Sequence, residues 1–379
     1  MHIGDLSSEI LLEIFGQAKS SAPFTLGGSA VTLPISQVCG TWRSIALNYA
    51  ALWSDVRLSS QSSLFKLDRL SSRAKGLLIS VAIDCTSMPS NTATPLTHCR
   101  ALLSGLLVHR DRIWALDFIA PVYIFGILSG VMCYKLNKGK YKFPQLRRLR
   151  FVDEFELHLA PDQGIASKVP SWRIFFSAPQ LRSLSMTAIT PTSHESFDHL
   201  RELHIEESSY FVHSRTMDDI PGTPLAHFSE LQRLSITSSP LPVFQAHATD
   251  TQMISFTLSA LRPADNAPGT LARFLSTLRM PALQHLTIHG LYGYLWDEFV
   301  RWLATDAHYP ALRSVTFDSL ALAGMDELCL RALASASTMR LIDVDVGAIV
   351  RLLESNPCLC PGVHEIVVGD GRLRVSGRS

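Results

Sequence analysis

The residues of this chain best equipped for chemistry are its cysteines, histidines and glycine-rich turns, and their spacing assembles no reaction centre. Cys358-x-Cys360 is the one close pair among seven cysteines, and no second pair completes the four-ligand set that zinc requires. Cys39, Cys85, Cys99, Cys133 and Cys329 lie far apart, and an odd count without framework spacing does not read as a disulfide scaffold. They are read as buried or loop thiols. The 14 histidines are scattered; His194, His199 and His204 gather around one stretch but straddle strand and loop, so they are read as structural or surface residues. Gly27-Gly28-Ser29 lacks the flanking strand and helix of a phosphate-cradling loop. No Gly-x-x-x-x-Gly-Lys, Gly-x-Ser-x-Gly or His-Glu-x-x-His run occurs. The expectation is a protein without catalytic residues, cofactor or metal.

The function must then lie in surfaces, and composition narrows which ones. Of 379 residues, 47% are hydrophobic and 18% charged, enough apolar material for a sizeable core. Lys+Arg 34 against Asp+Glu 33 leaves a net charge of +1, without the basic excess by which nucleic-acid binders displace counterions. No nucleic-acid partner is therefore expected. Asp5 and Glu9 interrupt the first residues and no early basic region precedes them, so no signal peptide is read there. The most lipid-like stretch, Phe118 to Tyr134, is 17 residues long and contains Pro121, Gly126 and Gly130. A span needs about 20 mostly apolar residues, so this stretch reads as a buried strand-loop-helix unit and no membrane partner is expected.

Two elements open the chain. Leu6, Ile10, Leu11, Ile14 and Phe15 share one face of a short helix expected to stop near Ala18 to Ser20. Ser20 to Thr32, with Pro23, Gly27 and Gly28, is a loop by composition. A second helix follows from the spacing of Ile35, Val38, Cys39, Trp42, Ile45 and Ala46, with Pro34 and Ser36 marking its start and Gly40 an internal cost of about 1 kcal/mol. Val56 and Leu58 alternate as a short strand after Leu52-Trp53.

Residues 3 to 58 also resemble a known family. Leu6-Ser-Ser-Glu9-Ile10-Leu11, Ile14-Phe15, Val38-Cys39-Gly-Thr-Trp42-Arg43-Ser-Ile45-Ala46 and Leu52-Trp53-Ser54 are similar to the F-box of fungal F-box proteins. The second half is the more specific part, fixing six positions in nine residues. Ser7 or Ser8 stands where the family usually carries proline, which removes a pre-organised first helical turn, and the loop between the helices is long. The resemblance implies that Leu6, Glu9, Ile10, Leu11, Ile14, Phe15, Val38, Cys39 and Trp42 face the Skp adaptor of a cullin-RING ubiquitin ligase. Ile45 and Trp53 serve equally well as core of the module itself.

The long remainder repeats one pattern. Leu146-x-x-Leu149-x-Phe151, Leu181-x-x-Leu184-x-Met186, Leu200-x-x-Leu203-x-Ile205, Leu231-x-x-Leu234-x-Ile236, Leu283-x-x-Leu286-x-Ile288 and Leu312-x-x-Val315-x-Phe317 are its clear copies. A bulky residue or a proline precedes each of these. Weaker copies are Ile113-x-x-Leu116-x-Phe118, Met253-x-x-Phe256-x-Leu258, Met339-x-x-Ile342-x-Val344 and Val363-x-x-Ile366-x-Val368. Leu-x-x-Leu-x-hydrophobe is the strand portion of a leucine-rich repeat, and copies 19 to 35 residues apart make an irregular array. One such strand cannot bury its apolar face alone, whereas stacked parallel strands make a continuous core. Helices are expected in between, over Leu271 to Leu278, around Phe299 to Leu303, and over Val346 to Leu353. Leu77 to Ile83 reads as the first strand of the array.

The expected architecture is therefore α/β. A helical F-box-like module occupies 1–58, a linking strand and helix 59–110, and an irregular leucine-rich-repeat solenoid of parallel strands with outer helices 111–379. Residues that alternate with the inward ones give a candidate target-binding face: Arg148, Arg150, Ser183, Ser185, Glu202, His204, Arg233, Ser235, His285, Thr287, Ser314 and Thr316. Arginine at its N-terminal part suits acidic or phosphorylated targets. Glu206 to His227, a long polar insertion, reads as a recognition loop or a tolerated one. Fungal F-box proteins often carry such repeats, so the resemblance implies a substrate receptor holding a Skp adaptor and cullin scaffold at one end and a target protein at the other, in cytoplasm or nucleus. The alternative is a repeat scaffold outside any ligase, its degenerate F-box serving as a cap.

Overall fold

The computed structural model describes residues 6–21, 34–59, 64–86, 94–120, 142–152, 178–187, 199–206, 223–224, 228, 230–237, 244–245, 249–250, 252–259, 261, 268–276, 278–306, 309–318, 327–343, 347, 351, 355–356, 362–363, 365–368 and 371–374. The chain divides into two compact units, Met1–Leu181 and Arg182–Ser379.

The first unit begins with α1 (Ser8–Ser21). Ser7 caps this helix: its Oγ accepts from Ile10 N at 3.4 Å and its carbonyl from Leu11 N at 3.1 Å. Leu11 and Phe15, four residues apart, turn inward. The second expected helix is broken. A helical turn covers 34–37, and α2 (Gly40–Asn48) starts only after Cys39, which is extended at φ −155° and caps it, Sγ accepting from Trp42 N. Gly40 thus opens a helix instead of weakening the middle of one. The Phe15 and Trp42 rings pack edge to face with centroids 5.0 Å apart, pinning α1 to α2. Trp53 is 2% exposed, and its Nε1 donates to Ala46 O at 2.8 Å.

Strands β1 (Asp55–Ser59), β2 (Ile79–Asp84), β3 (Ile113–Ile119) and β4 (Arg148–Val152) then run parallel in chain order. The array therefore starts one strand earlier than Leu77 to Ile83. Helices α3 (Leu64–Arg73) and α4 (Thr94–Val108) make the crossovers between β1, β2 and β3. Two apolar columns run across these strands in register: Val56, Val81, Leu116, Leu149, and Leu58, Ile83, Phe118, Phe151. All eight are buried, and Phe118 stacks on Phe151 at 5.3 Å. Of the lipid-like stretch, Phe118 and Ile119 belong to β3, and residues 121–134 lie outside the described residues. Among the described residues no helix is long and apolar enough to cross a membrane.

The second unit repeats the same construction. Parallel strands β5 (Ser183–Thr187), β6 (Glu202–Glu206), β7 (Arg233–Thr237), β8 (Ser255–Ser259), β9 (His285–His289), β10 (Ser314–Asp318), β11 (Thr338–Ile342) and β12 (Glu365–Val368) pair in order. β13 (Gly371–Arg374) closes the edge antiparallel to β12. Leu184, Leu203, Leu234, Phe256, Leu286, Val315, Met339 and Ile366 form one in-register column. Met186, Ile205, Ile236, Leu258, Ile288, Phe317 and Leu341 form the other and are likewise buried.

The residues that precede the strands explain the motif. Leu181 N donates to Ala178 O, Leu231 N to Phe228 O, Leu283 N to Met280 O and Leu312 N to Tyr309 O, each at 3.0–3.1 Å. Leu146 N does the same to Phe143 O in the first unit, at 3.2 Å. These five copies thus enter their strands through a β-turn, and Pro144, Pro179, Pro281 and Pro310 occupy the second turn position, where a fixed φ helps. Strand starts are also linked alike: Arg182 O, Arg201 O, Gln232 O, Ile254 O, Gln284 O and Arg313 O each accept two successive N–H groups from the next strand.

One register differs from the sequence expectation. The copy placed at Met339-x-x-Ile342-x-Val344 is Ala336-x-x-Met339-x-Leu341, with Ala336 N donating to Leu333 O as in the other turns. Ile342 is half-buried, whereas Ala336, Met339 and Leu341 are fully covered. Pattern-matching slipped because Leu341-Ile342 offers two adjacent apolar residues, and only pairing to β10 chooses between them.

Helices α5 (Thr270–Ser276), α6 (Tyr294–Asp306) and α7 (Glu327–Ala332) fall between strands β8 and β11. Leu271, Phe274, Leu275, Leu295, Phe299, Trp302 and Leu303 supply their buried faces. Leu278, expected in the first helix, lies in a two-residue strand instead. Glu298, 5% exposed on α6, accepts from Gly269 N and, at 3.2 Å, from Ala272 N, so one helix caps the next. Of the helix expected over Val346 to Leu353, the described residues Gly347 and Arg351 are helical.

The ladder makes a direct prediction. Leu286→Ala should cost about 2–5 kcal/mol of unfolding free energy, because β8 and β10 hold the site too firmly to collapse. Thr287→Ala, one residue along on the opposite face, should stay within about 0.5 kcal/mol. Urea denaturation of the two variants checks the alternation, and equal costs would contradict it.

Candidate functional site

Two surfaces contain the residues picked out by sequence. The first is the helical pair α1–α2. The nine residues expected to dock an adaptor separate by orientation. Glu9, Ile10, Ile14, Val38 and Cys39 are exposed, Leu6 and Trp42 half-buried, and Leu11 and Phe15 1% exposed. Leu11 and Phe15 therefore act on any docking surface by supporting it from inside. Ile10, Ile14 and Val38, at 48%, 39% and 58% exposure, are three of only seven large hydrophobic residues left exposed among those described. Ile10 and Ile14 stand one turn apart on the outer side of α1. Val38 is displayed because the extended Cys39 interrupts the helix immediately after it. Hydrogen bonds from its own backbone and from Ser7 hold the Glu9 carboxyl below its ordinary range, keeping it ionised at the start of α1.

The second surface is the polar side of the sheet. In the first unit, Arg148 and Arg150 occupy it as expected, alternating with buried Leu149 and Phe151. Arg148 is not simply solvated. Its guanidinium lies 5.3 Å over the Trp114 ring, and its Nε is 3.7 Å from Asp117 Oδ1. Asp117 is the functional-looking residue that sequence reasoning missed. It is 2% exposed on β3, and burial pushes its carboxyl up while Arg148 and Arg150 pull it down, the burial winning. The signal was one acid inside the apolar run Ile113–Ile119.

In the second unit, Ser183, Ser185, Glu202, His204, Arg233, Ser235, His285, Thr287, Ser314 and Thr316 all alternate with the buried columns, so the expected residues share a face. Its charges meet each other. Arg233 Nη1 is 2.6 Å from Glu202 Oε1, His204 Nε2 2.9 Å from Glu206 Oε1, and His285 Nδ1 2.8 Å from Ser314 Oγ. His289 and Asp318, not foreseen, face each other at 3.0 Å across β9 and β10. His199 lies 3.3 Å from Glu230, and His194 lies outside the described residues. Such partly exposed pairs are worth up to about 1 kcal/mol each, so they order the face more than they stabilise the fold. Between them Ser235, Thr257, Thr287 and Thr316 make an uncharged, half-exposed hydroxyl row. Among the described residues no group of three or more His, Cys, Asp or Glu could hold a metal ion; Cys358 and Cys360 lie outside them. Most of the polar insertion Glu206 to His227 also lies outside.

Comparison with models of known protein families finds no match, and comparison with curated proteins finds none either.

Asp117 supports a pH prediction. Its folded-state pKa lies above the unfolded value of about 4, so its contribution is fully present below about pH 4 and is lost as pH rises through the folded pKa. Asp117→Asn removes that loss. The stability of the Asn variant relative to the native chain should therefore grow between pH 4 and 7 in urea titrations. A relative stability that falls over this range would mean that pairing with Arg148 and Arg150 outweighs burial.

Proposed function

We propose that this chain is a substrate-recognition adaptor of a cullin-RING ubiquitin ligase of the SCF type, with no catalytic chemistry of its own. In this reading α1 and α2 are an F-box that docks the Skp adaptor, and the parallel strands are an irregular leucine-rich-repeat array whose polar face takes a target protein. The observation that carries it is the exposure of Ile10, Ile14 and Val38 on a helical pair locked by Phe15 and Trp42, in the segment whose Val38-Cys39-x-x-Trp42-Arg43-x-Ile45-Ala46 matches the F-box pattern. A buried apolar contact of this kind supplies most of an interface's energy from a few anchors. Such a ligase subunit works in the cytoplasm or nucleus.

A second reading has its own observation. The helical module is bonded to the start of the sheet: Lys19 Nζ lies 2.9 Å from Asp55 Oδ2 on β1 and donates to Ser54 Oγ at 2.8 Å. A helical pair tied down in this way also serves as the cap that a repeat array needs at its first strand. The protein would then be a leucine-rich-repeat scaffold outside any ligase.

Co-expression with the cognate Skp adaptor separates the two. The native chain should co-purify with it, and Ile10→Asp combined with Ile14→Asp should abolish this, at about 2 kcal/mol or more per buried anchor. Both positions are exposed in the free chain, so the variant should keep its unfolding transition. A folded native chain that fails to bind would leave the scaffold reading standing.

A further inference from the structure

The exposed apolar residues of the first unit form a second group, distant in sequence from α1 and α2. Leu77 and Leu78, 44% and 37% exposed, lead into β2, and Val108, 73% exposed, ends α4 just ahead of β3. The fold brings these segments together. Ile79 and Ile113 are in-register partners, Arg112 Nη2 donates to Leu77 O at 2.9 Å, and Arg112 Nη1 to Ser71 O at 3.1 Å. His109, next to Val108, meets Ser71 Oγ at 3.2 Å and Asp68 at 2.7 Å. The turn that displays the leucines is held open by two left-handed residues, Lys75 at φ 46° and Gly76 at φ 84°. Lys75 to Leu78 are four consecutive exposed residues. None of this serves the apolar columns, and three grouped exposed hydrophobes on a folded unit mark a contact surface.

Charge says what kind of partner fits. Lys75, Arg110 and Arg112 rim the group, against Asp68, which faces His109, and Asp111, which faces Arg110 at 3.7 Å. A second copy of the chain would bring the same cations together, so the rim opposes self-association. Leu77 and Leu78 are more than half covered, which leaves them little apolar surface to insert into a bilayer. We propose that Leu77, Leu78 and Val108, with the cationic rim of Lys75, Arg110 and Arg112, bind an acidic amphipathic helix of a partner protein, apolar anchors inward and carboxylates on the rim. This surface is separate from the adaptor-docking face and does not depend on that reading.

The test uses the full chain and a labelled helical peptide of about 18 residues with leucine at i, i+3, i+4 and i+7 spacing and glutamate and alanine elsewhere. Its controls are the same peptide with lysine for glutamate, and vesicles of phosphatidylcholine with about 30% phosphatidylserine. The acidic peptide should bind saturably by fluorescence anisotropy, and more weakly as salt rises. Leu77→Ser with Val108→Ser should weaken it at least about tenfold, as should the lysine peptide. The Ile10→Asp, Ile14→Asp chain should bind unchanged, which separates this surface from adaptor docking. Should the serine variant lose its unfolding transition, Lys75→Glu, exposed in the turn, gives the same reading through the rim. Vesicle binding without peptide binding would replace the proposal with a membrane surface. Equal binding by native and variant chains, or none by the native chain, would overturn it.

Discussion

Everything in this protein depends on strands that cannot bury their apolar face singly. A five-residue strand such as Arg233–Thr237 contributes two inward side chains, Leu234 and Ile236. Those two become core only because Leu203 and Ile205 lie beside them on one side and Phe256 and Leu258 on the other, in register. The requirement is local and repeats at each strand, so the spacing of successive copies varies from 19 to 35 residues without disturbing the columns. What is held constant is the turn before the strand and the double acceptance at the strand start, because these set the register that a one-residue slip would invert.

The same constraint leaves the alternate residues facing outward, and these are where chemistry can vary. In the second unit that freedom is used for a face of hydroxyls, imidazoles and carboxylates: Arg233 pairs with Glu202, while His204 lies beside Glu206 and His289 beside Asp318. In the first unit it is used differently. β2 and β3 are buried on both faces along most of their length, and the polar side holds a covered carboxyl, Asp117, beside Arg148, whose guanidinium lies over Trp114. A buried acid that burial drives toward its neutral form is tolerated where two arginines partly offset the loss of water.

The helical pair ahead of the sheet obeys another logic. With α1 and α2 so short, neither is stable alone, and the Phe15–Trp42 contact with the Trp53–Ala46 hydrogen bond supplies the tertiary support. Once Leu11 and Phe15 are spent on that contact, Ile10, Ile14 and Val38 are left outward, and an apolar outer face on a two-helix module is the feature that the proposed adaptor role explains. Ser7 caps the start of α1 through its Oγ.

The sequence by itself determined the parallel strands, their inward residues and the polar face, because alternation and a repeated turn are local properties that survive without knowing the neighbours. It also placed the two opening helices and most of those between later strands. Four things were decided only in three dimensions. The break at Cys39 came from capping geometry that a periodic pattern passes over. The register of Met339 and Leu341 came from pairing to β10, since adjacent apolar residues are equivalent in sequence. The division of the nine residues expected to dock an adaptor into support and surface came from the Phe15–Trp42 packing. The charge pairs across strands, and the covering of Asp117, join residues about 30 positions apart, and only the stacking of one repeat on the next brings those together.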